Sequence, residues 1–136
     1  MIVQPGTKLL GDLVAEFCLE KGLGKPPAGV NLYSREEYIE ETGDDKTAAR
    51  FSAAKDQIAV SPDIAAHINL IPHELAHHYQ ASREGSAEFD RKYDEYTETY
   101  GYLNNPYEVE ARELEMKWWP EFEQLLKKKL ESAGIG

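Results

Sequence analysis

The stretch "IPHELAHHYQ", residues 71–80, holds three of the chain's four histidines. Within it, His73, Glu74 and His77 form the pattern H-E-x-x-H. On a helix, residues four apart lie just over one turn from each other, so both imidazoles project from one face. Two such rings can share one zinc ion, each with a nitrogen about 2.0–2.1 Å from the metal. Glu74 follows the first histidine, so its carboxylate sits beside the ion without having to bind it. There it can take a proton from water and return it to a leaving amine, while the metal supplies Lewis acidity. The plain competing reading is a helix with surface histidines. His78 points about 100° round the helix from His77, which suits packing or solvent. His67, six residues before His73, is off the metal face and reads as a core or surface histidine.

A catalytic zinc needs a third protein ligand and one open position. The segment "NPYEVEAR" (105–112) offers Glu108 and Glu110. Two residues apart, they cannot share a helix face, so at most one can serve. Glu108 is followed three residues later by Ala111, which would let two helices approach closely; Glu110 has the bulkier Glu113 and Leu114 in the matching places. That favours Glu108. The same residue has another reading, because Asn105, Pro106 and Glu108 also fit an N-cap, a proline at N1 and a capping-box glutamate.

The motifs "IAVSPDI", "HELAHH" and "NPYEVEA", in that order, resemble the gluzincin metallopeptidases. The short form is similar to the minigluzincin and ImmA/IrrE-like proteins of prokaryotes and their phages, over roughly residues 29–118. The resemblance implies a zincin-like domain and a zinc-dependent endopeptidase with one Zn2+ per chain. It implies His73, His77 and Glu108 as ligands, with Glu74 as general base and acid. It implies a protein or peptide substrate, a repressor or regulator being the kind of target. It further implies that the strand "QIAVS" forms the upper rim of the cleft and pairs with an extended substrate. Two departures stand out. Many gluzincins carry an acid four residues after the ligand glutamate, to hold a histidine ligand; here that position is Arg112, so the orienting partner must be another group, such as a backbone carbonyl. No histidine follows His78, so a tyrosine would have to stabilise the oxyanion, with Tyr102 and Tyr107 as candidates.

Outward from the motif, the pattern predicts an α+β fold in one domain, residues 1–136. An N-terminal helix is expected over 7–21, with an apolar face of Leu9, Leu10, Leu13, Val14, Phe17 and Cys18, Thr7 as N-cap and Gly22 as stop. A short strand follows at 29–34. Ser34 and Glu37 are spaced as a capping box for a short acidic helix ending at Gly43. "ARFSAA" and "QIAVSP" read as a hairpin turning at "AKDQ", giving three short strands in all. Helical spacing resumes at Asp63, a possible cap, and Pro72 requires a kink or a fresh start near Asn69. Phe89, Tyr93, Tyr96 and Tyr100 form a stripe that reads as a packed helix face. The last helix, carrying the glutamate, begins at Pro106, and Pro120 is expected to kink or divide it.

The totals restrict the alternatives. A net charge of -10 opposes nucleic-acid binding through phosphate neutralisation and opposes a basic membrane anchor. No apolar run reaches the roughly 20 residues of a membrane helix. The N-terminus lacks the pattern of a secretory signal, and Cys18 is the one cysteine, so a cytoplasmic setting is expected. Cys18 itself reads as a small core residue. Two other function classes compete with a peptidase. One is a non-catalytic, zinc-stabilised protein-binding module of phage or prokaryotic origin. The other is a helical interaction protein with no metal.

Overall fold

The structure is a computed structural model that describes residues 6–134. Its elements are α1 (Thr7–Lys21), β1 (Gly29–Leu32), α2 (Arg35–Thr42), β2 (Ala49–Ser52), β3 (Gln57–Val60), a 3-10 turn (Pro62–Ala66), α3 (Leu70–Glu84), α4 (Ser86–Tyr100) and α5 (Pro106–Ser132). The α+β class and the three-stranded sheet are as expected. None of the described helices is long and apolar enough to cross a membrane.

The sheet runs β1-β3-β2, parallel between β1 and β3 and antiparallel between β2 and β3. Thus β3, not β2, is the central strand. All four of its residues are buried, which is how a strand covered on both faces reads. This overturns the expectation that "QIAVS" rims the cleft: both edges of β3 are already paired, and β2 is the edge strand on the α3 side. The hairpin turns at residues 53–56, with Asp56 at φ 50, a conformation that Asp tolerates better than most residues.

The main core joins α1, the sheet, α3 and α5. Phe17 meets Trp118 and Phe122 edge-on at centroid distances of 5.9 and 5.5 Å. Cys18 is buried here as expected, and burial pushes its thiol up to about 11. Thr7 does not cap α1. The cap is Gly6 at φ 104, and Thr7 Oγ1 instead accepts from Leu32 N, tying α1 to β1. The Ser34–Glu37 capping box forms as predicted.

Two prolines show how position decides their effect. Asp63 does not cap α3, which starts afresh at Leu70 with Asn69 before it. Pro72 is then the third helical residue, where its missing N–H has no partner to lose. Pro120 lies inside α5, yet the helix is continuous over 27 residues. Trp118 and Phe122, both buried, hold the segment against α1.

Candidate metal centre

α3 and α5 pack together through small and apolar residues, with Ala76 and Ala111 fully buried. This close approach brings one turn of each helix face to face. His73 Nε2 lies 3.0 Å from Glu108 Oε1, and His77 Nε2 lies 3.1 Å from Glu108 Oε2. All three side chains are buried. Their candidate donor atoms lie within 4.8 Å of one another, so the group could hold a metal ion. Two ligands about 2.0–2.1 Å from a tetrahedral ion stand about 3.3–3.4 Å apart, close to the separations here.

The outer contacts decide which ring nitrogens face the cluster. Gln80 is fully buried, and its Nε2 donates to Tyr107 O at 3.0 Å and Glu110 Oε1 at 2.8 Å. That fixes the amide, so Gln80 Oε1 accepts from His77 Nδ1 at 2.9 Å. Glu115 Oε1 accepts from His73 Nδ1 at 2.9 Å, and its other oxygen accepts from Asn69 Nδ2 at 2.8 Å. With both Nδ1 atoms donating outward, both Nε2 atoms point at a carboxylate. Three acceptors converging in a buried space require a cation between them, either protons or a metal ion.

The ionisation of the metal-free group follows from this. Burial opposes a charged His73, but the hydrogen bond to Glu108 and the charges of Glu74 and Glu108 outweigh it and carry the ring up to about 9. His77 is raised against the same burial penalty, by Glu108 and Glu74. Burial alone would raise Glu108, but hydrogen bonds from His73 and His77 hold it far below the usual carboxylate range. Burial raises Glu74, partly offset by His77 and His73. In the metal-free chain, the stability supplied by a protonated His73 is complete below its unfolded value near 6.5. It is lost as pH rises through about 9. A metal ion held by this group would have to displace that proton, so any apparent affinity for one is expected to rise from pH 6.5 to 9, about tenfold per unit for each proton displaced. Competition titrations against a chelator check this; a flat profile would contradict it.

The sequence-derived residues are placed as follows. Glu108 does not act as a capping glutamate: Asn105 caps α5 by accepting from Tyr107 N at 2.9 Å, while Glu108 turns to the histidines. Glu110 stays outside the cluster, ion-paired with Arg83 at 3.1 Å and bonded to Gln80. Glu74 lies beside the cluster, with Oε1 accepting from Phe51 N of β2 at 2.9 Å. In place of the acid missing at position 112, the group that orients His73 is not a backbone carbonyl but Glu115, seven residues beyond Glu108 on the same helix face. Tyr102 lines the cleft; burial, then the charges of Glu108 and Glu74, raise its hydroxyl to about 12. Tyr107 is not in the cleft, because its buried ring stacks on Tyr93 and its hydroxyl donates to Glu84. His78 is buried away from the cluster, its Nε2 donating to Lys25 O at 2.8 Å and its Nδ1 beside Asp56 at 3.0 Å. His67 is exposed on the cleft wall.

Three contributors were missed. Tyr93, read only as part of a packed stripe, donates to Glu108 Oε2 at 2.5 Å. Gln80 was readable as the residue one turn after His77, and Glu115 as two turns after Glu108. Removing such an outer partner typically costs 10–100-fold in metal affinity. If the group holds a metal ion such as zinc, Glu115→Ala is therefore expected to weaken its binding by about 10–100-fold without abolishing it. An unchanged dissociation constant in a chelator competition would show that Glu115 does not orient His73.

No protein-family model matches the chain, and neither the curated proteins nor the solved structures provide a match.

Proposed function

We propose that this chain is a small zinc-dependent endopeptidase of zincin-like, gluzincin-type build. The observation that carries the reading is the buried convergence of His73, His77 and Glu108 with Glu74 beside it at the wall of an open cleft. His73, His77 and Glu108 would hold one Zn2+. The ion would polarise a peptide carbonyl and acidify water next to Glu74. Glu74 is positioned by Phe51 N through one oxygen, which leaves the other free to accept a proton from water and pass it to the departing amine. Tyr102, on the cleft wall, would be the tyrosine that donates to a developing oxyanion.

The substrate would be a protein segment in extended form. Ser61 N bonds Ala48 O at 2.8 Å, and the register pairs Arg50 with Ala59. Ala49 and Phe51 therefore direct their backbone groups away from β3, along the cleft. Phe51 N is taken by Glu74, and the remaining groups can add a peptide strand. A cytoplasmic setting suits the single, buried, protonated Cys18.

The test is hydrolysis of a quenched peptide library by the zinc-loaded chain. Turnover that stops on chelation and returns with zinc is expected. Zinc binding with no turnover on any peptide would favour a zinc-stabilised binding module instead.

A further inference from the structure

The cleft is asymmetric in charge. One half, about 800 Å³, lies beside Thr47, Ala48 and Ala49 and is lined by Lys46, His67, Tyr102 and Arg112. Nine of the chain's 15 basic side chains are ion-paired with a carboxylate. Arg112 donates to the Leu103 carbonyl and has no carboxylate partner among the described residues. Lys46 makes only a backbone contact, donating its N–H to Asp44. The third cation of this half, Arg35, is engaged by the carbonyls of Thr47 and Asp45 and by Asp63 at 3.5 Å. The carboxylates here are engaged too: Asp63 by Arg35, Glu115 by His73 and Asn69, Glu74 by Phe51 N.

The other half, about 490 Å³, has the opposite character. Asp90 and Asp94 line it one helical turn apart, and Arg50 there is paired with Asp44 at 2.8 Å. Each aspartate disfavours a second negative charge beside it.

We propose that Lys46 and Arg112 form a carboxylate-binding subsite, so that the cleft selects peptides with an acidic side chain or a terminal carboxylate on that side of the scissile bond. This rests on the peptidase reading above. The guanidinium fork matches a carboxylate with two parallel hydrogen bonds. Arg112 stands one turn after Glu108 on α5, so a rigid helix sets its distance from the reacting centre. The net charge of -10 repels acidic chains at long range, so selection is local rather than a general attraction for polyanions. Asp90 and Asp94 make the preference one-sided.

The test uses the zinc-loaded full chain and four pools of nonapeptides. Two pools carry one central Glu and two carry one central Gln, each with a free or an amidated C-terminus. Products are mapped by mass spectrometry. Faster cleavage of the Glu pools, by about tenfold, is expected, with Glu always on the same side of the cut. A preference confined to free C-termini would identify the terminal carboxylate as the bound group. Arg112→Gln is expected to bring the Glu/Gln ratio to about one, and Arg112→Lys to restore part of it. Lys46→Gln, at an exposed position, lowers the ratio without disturbing the core and covers the case in which an Arg112 variant misfolds. Cleavage with no Glu preference, or with Glu on either side of the cut, overturns the subsite and leaves the peptidase reading standing. If no pool is cleaved, the peptidase reading fails. Binding of fluorescein-labelled copies of the pools to Glu74→Gln protein then decides the subsite, and equal affinity for Glu and Gln peptides overturns it.

Discussion

Glu74→Gln is expected to lower peptide hydrolysis by about 10²–10⁴-fold, the usual contribution of a general base, while zinc stays at about one per chain. The substitution is close to isosteric. The glutamine Oε1 can still accept from Phe51 N, so the contact that ties α3 to β2 at 2.9 Å is kept. What is lost is the ability to hold a proton. Burial already raises the Glu74 carboxyl, so a neutral amide relieves a buried charge at the expense of its attraction for the two histidines. The readouts are kcat/KM on a quenched peptide and zinc by elemental analysis on the same sample. Full activity in this variant would eliminate Glu74 as the working group, and loss of zinc would show that it ligates.

Glu108→Ala should have the larger effect on metal. It removes the one buried anion facing both Nε2 atoms, and it takes the acceptor from Tyr93. Removing an outer partner costs about 10–100-fold in affinity, so loss of a ligand should exceed about 100-fold. Zinc content is expected to fall from about one per chain to background after dialysis. The melting temperature should become insensitive to chelator, because the metal's contribution to folding has been removed. Glu110→Ala is the informative companion. Glu110 touches the cluster only through Gln80, so about a tenfold weakening is expected, within the range of an outer partner. If Glu110→Ala strips zinc and Glu108→Ala does not, the assignment is reversed.

These contrasts show which parts of the site the sequence could specify. His73, Glu74 and His77 were legible because their relation is local: one helix turn fixes it. Glu108 was legible through Ala111, a small residue marking where α5 passes close to α3, and Ala111 is indeed fully buried there. The choice between Glu108 and a capping role was not local, since it depended on which helix the carboxylate met. Asn105 satisfied the cap alone. Glu115 was missed because helical spacing from Glu108 says only that the two share a face, not that His73 lies opposite.

The sheet was misread at one point for a related reason. Chain order does not give strand order, and β2 and β3 were equally short. The useful signal was burial type: "QIAV" is apolar or small throughout its interior, as suits a central strand, whereas "ARFS" alternates with an exposed Arg50, as suits an edge. Tyr93 was missed because a packed stripe on α4 does not say which of its rings meets Glu108, and Tyr107 was misplaced because its hydroxyl turns to Glu84. Pro120 kept its place in α5 because packing on both sides outweighed the local cost of about 3 kcal/mol.

The most direct test is a crystal structure of the zinc-loaded protein with anomalous data collected at the zinc edge. The account predicts one strong peak between His73 Nε2, His77 Nε2 and Glu108, with the ring nitrogens about 2.0–2.1 Å from it, and with Glu115 and Gln80 still accepting from the two Nδ1 atoms. A peak elsewhere, or no peak while the imidazoles keep their direct contacts to Glu108, would contradict it.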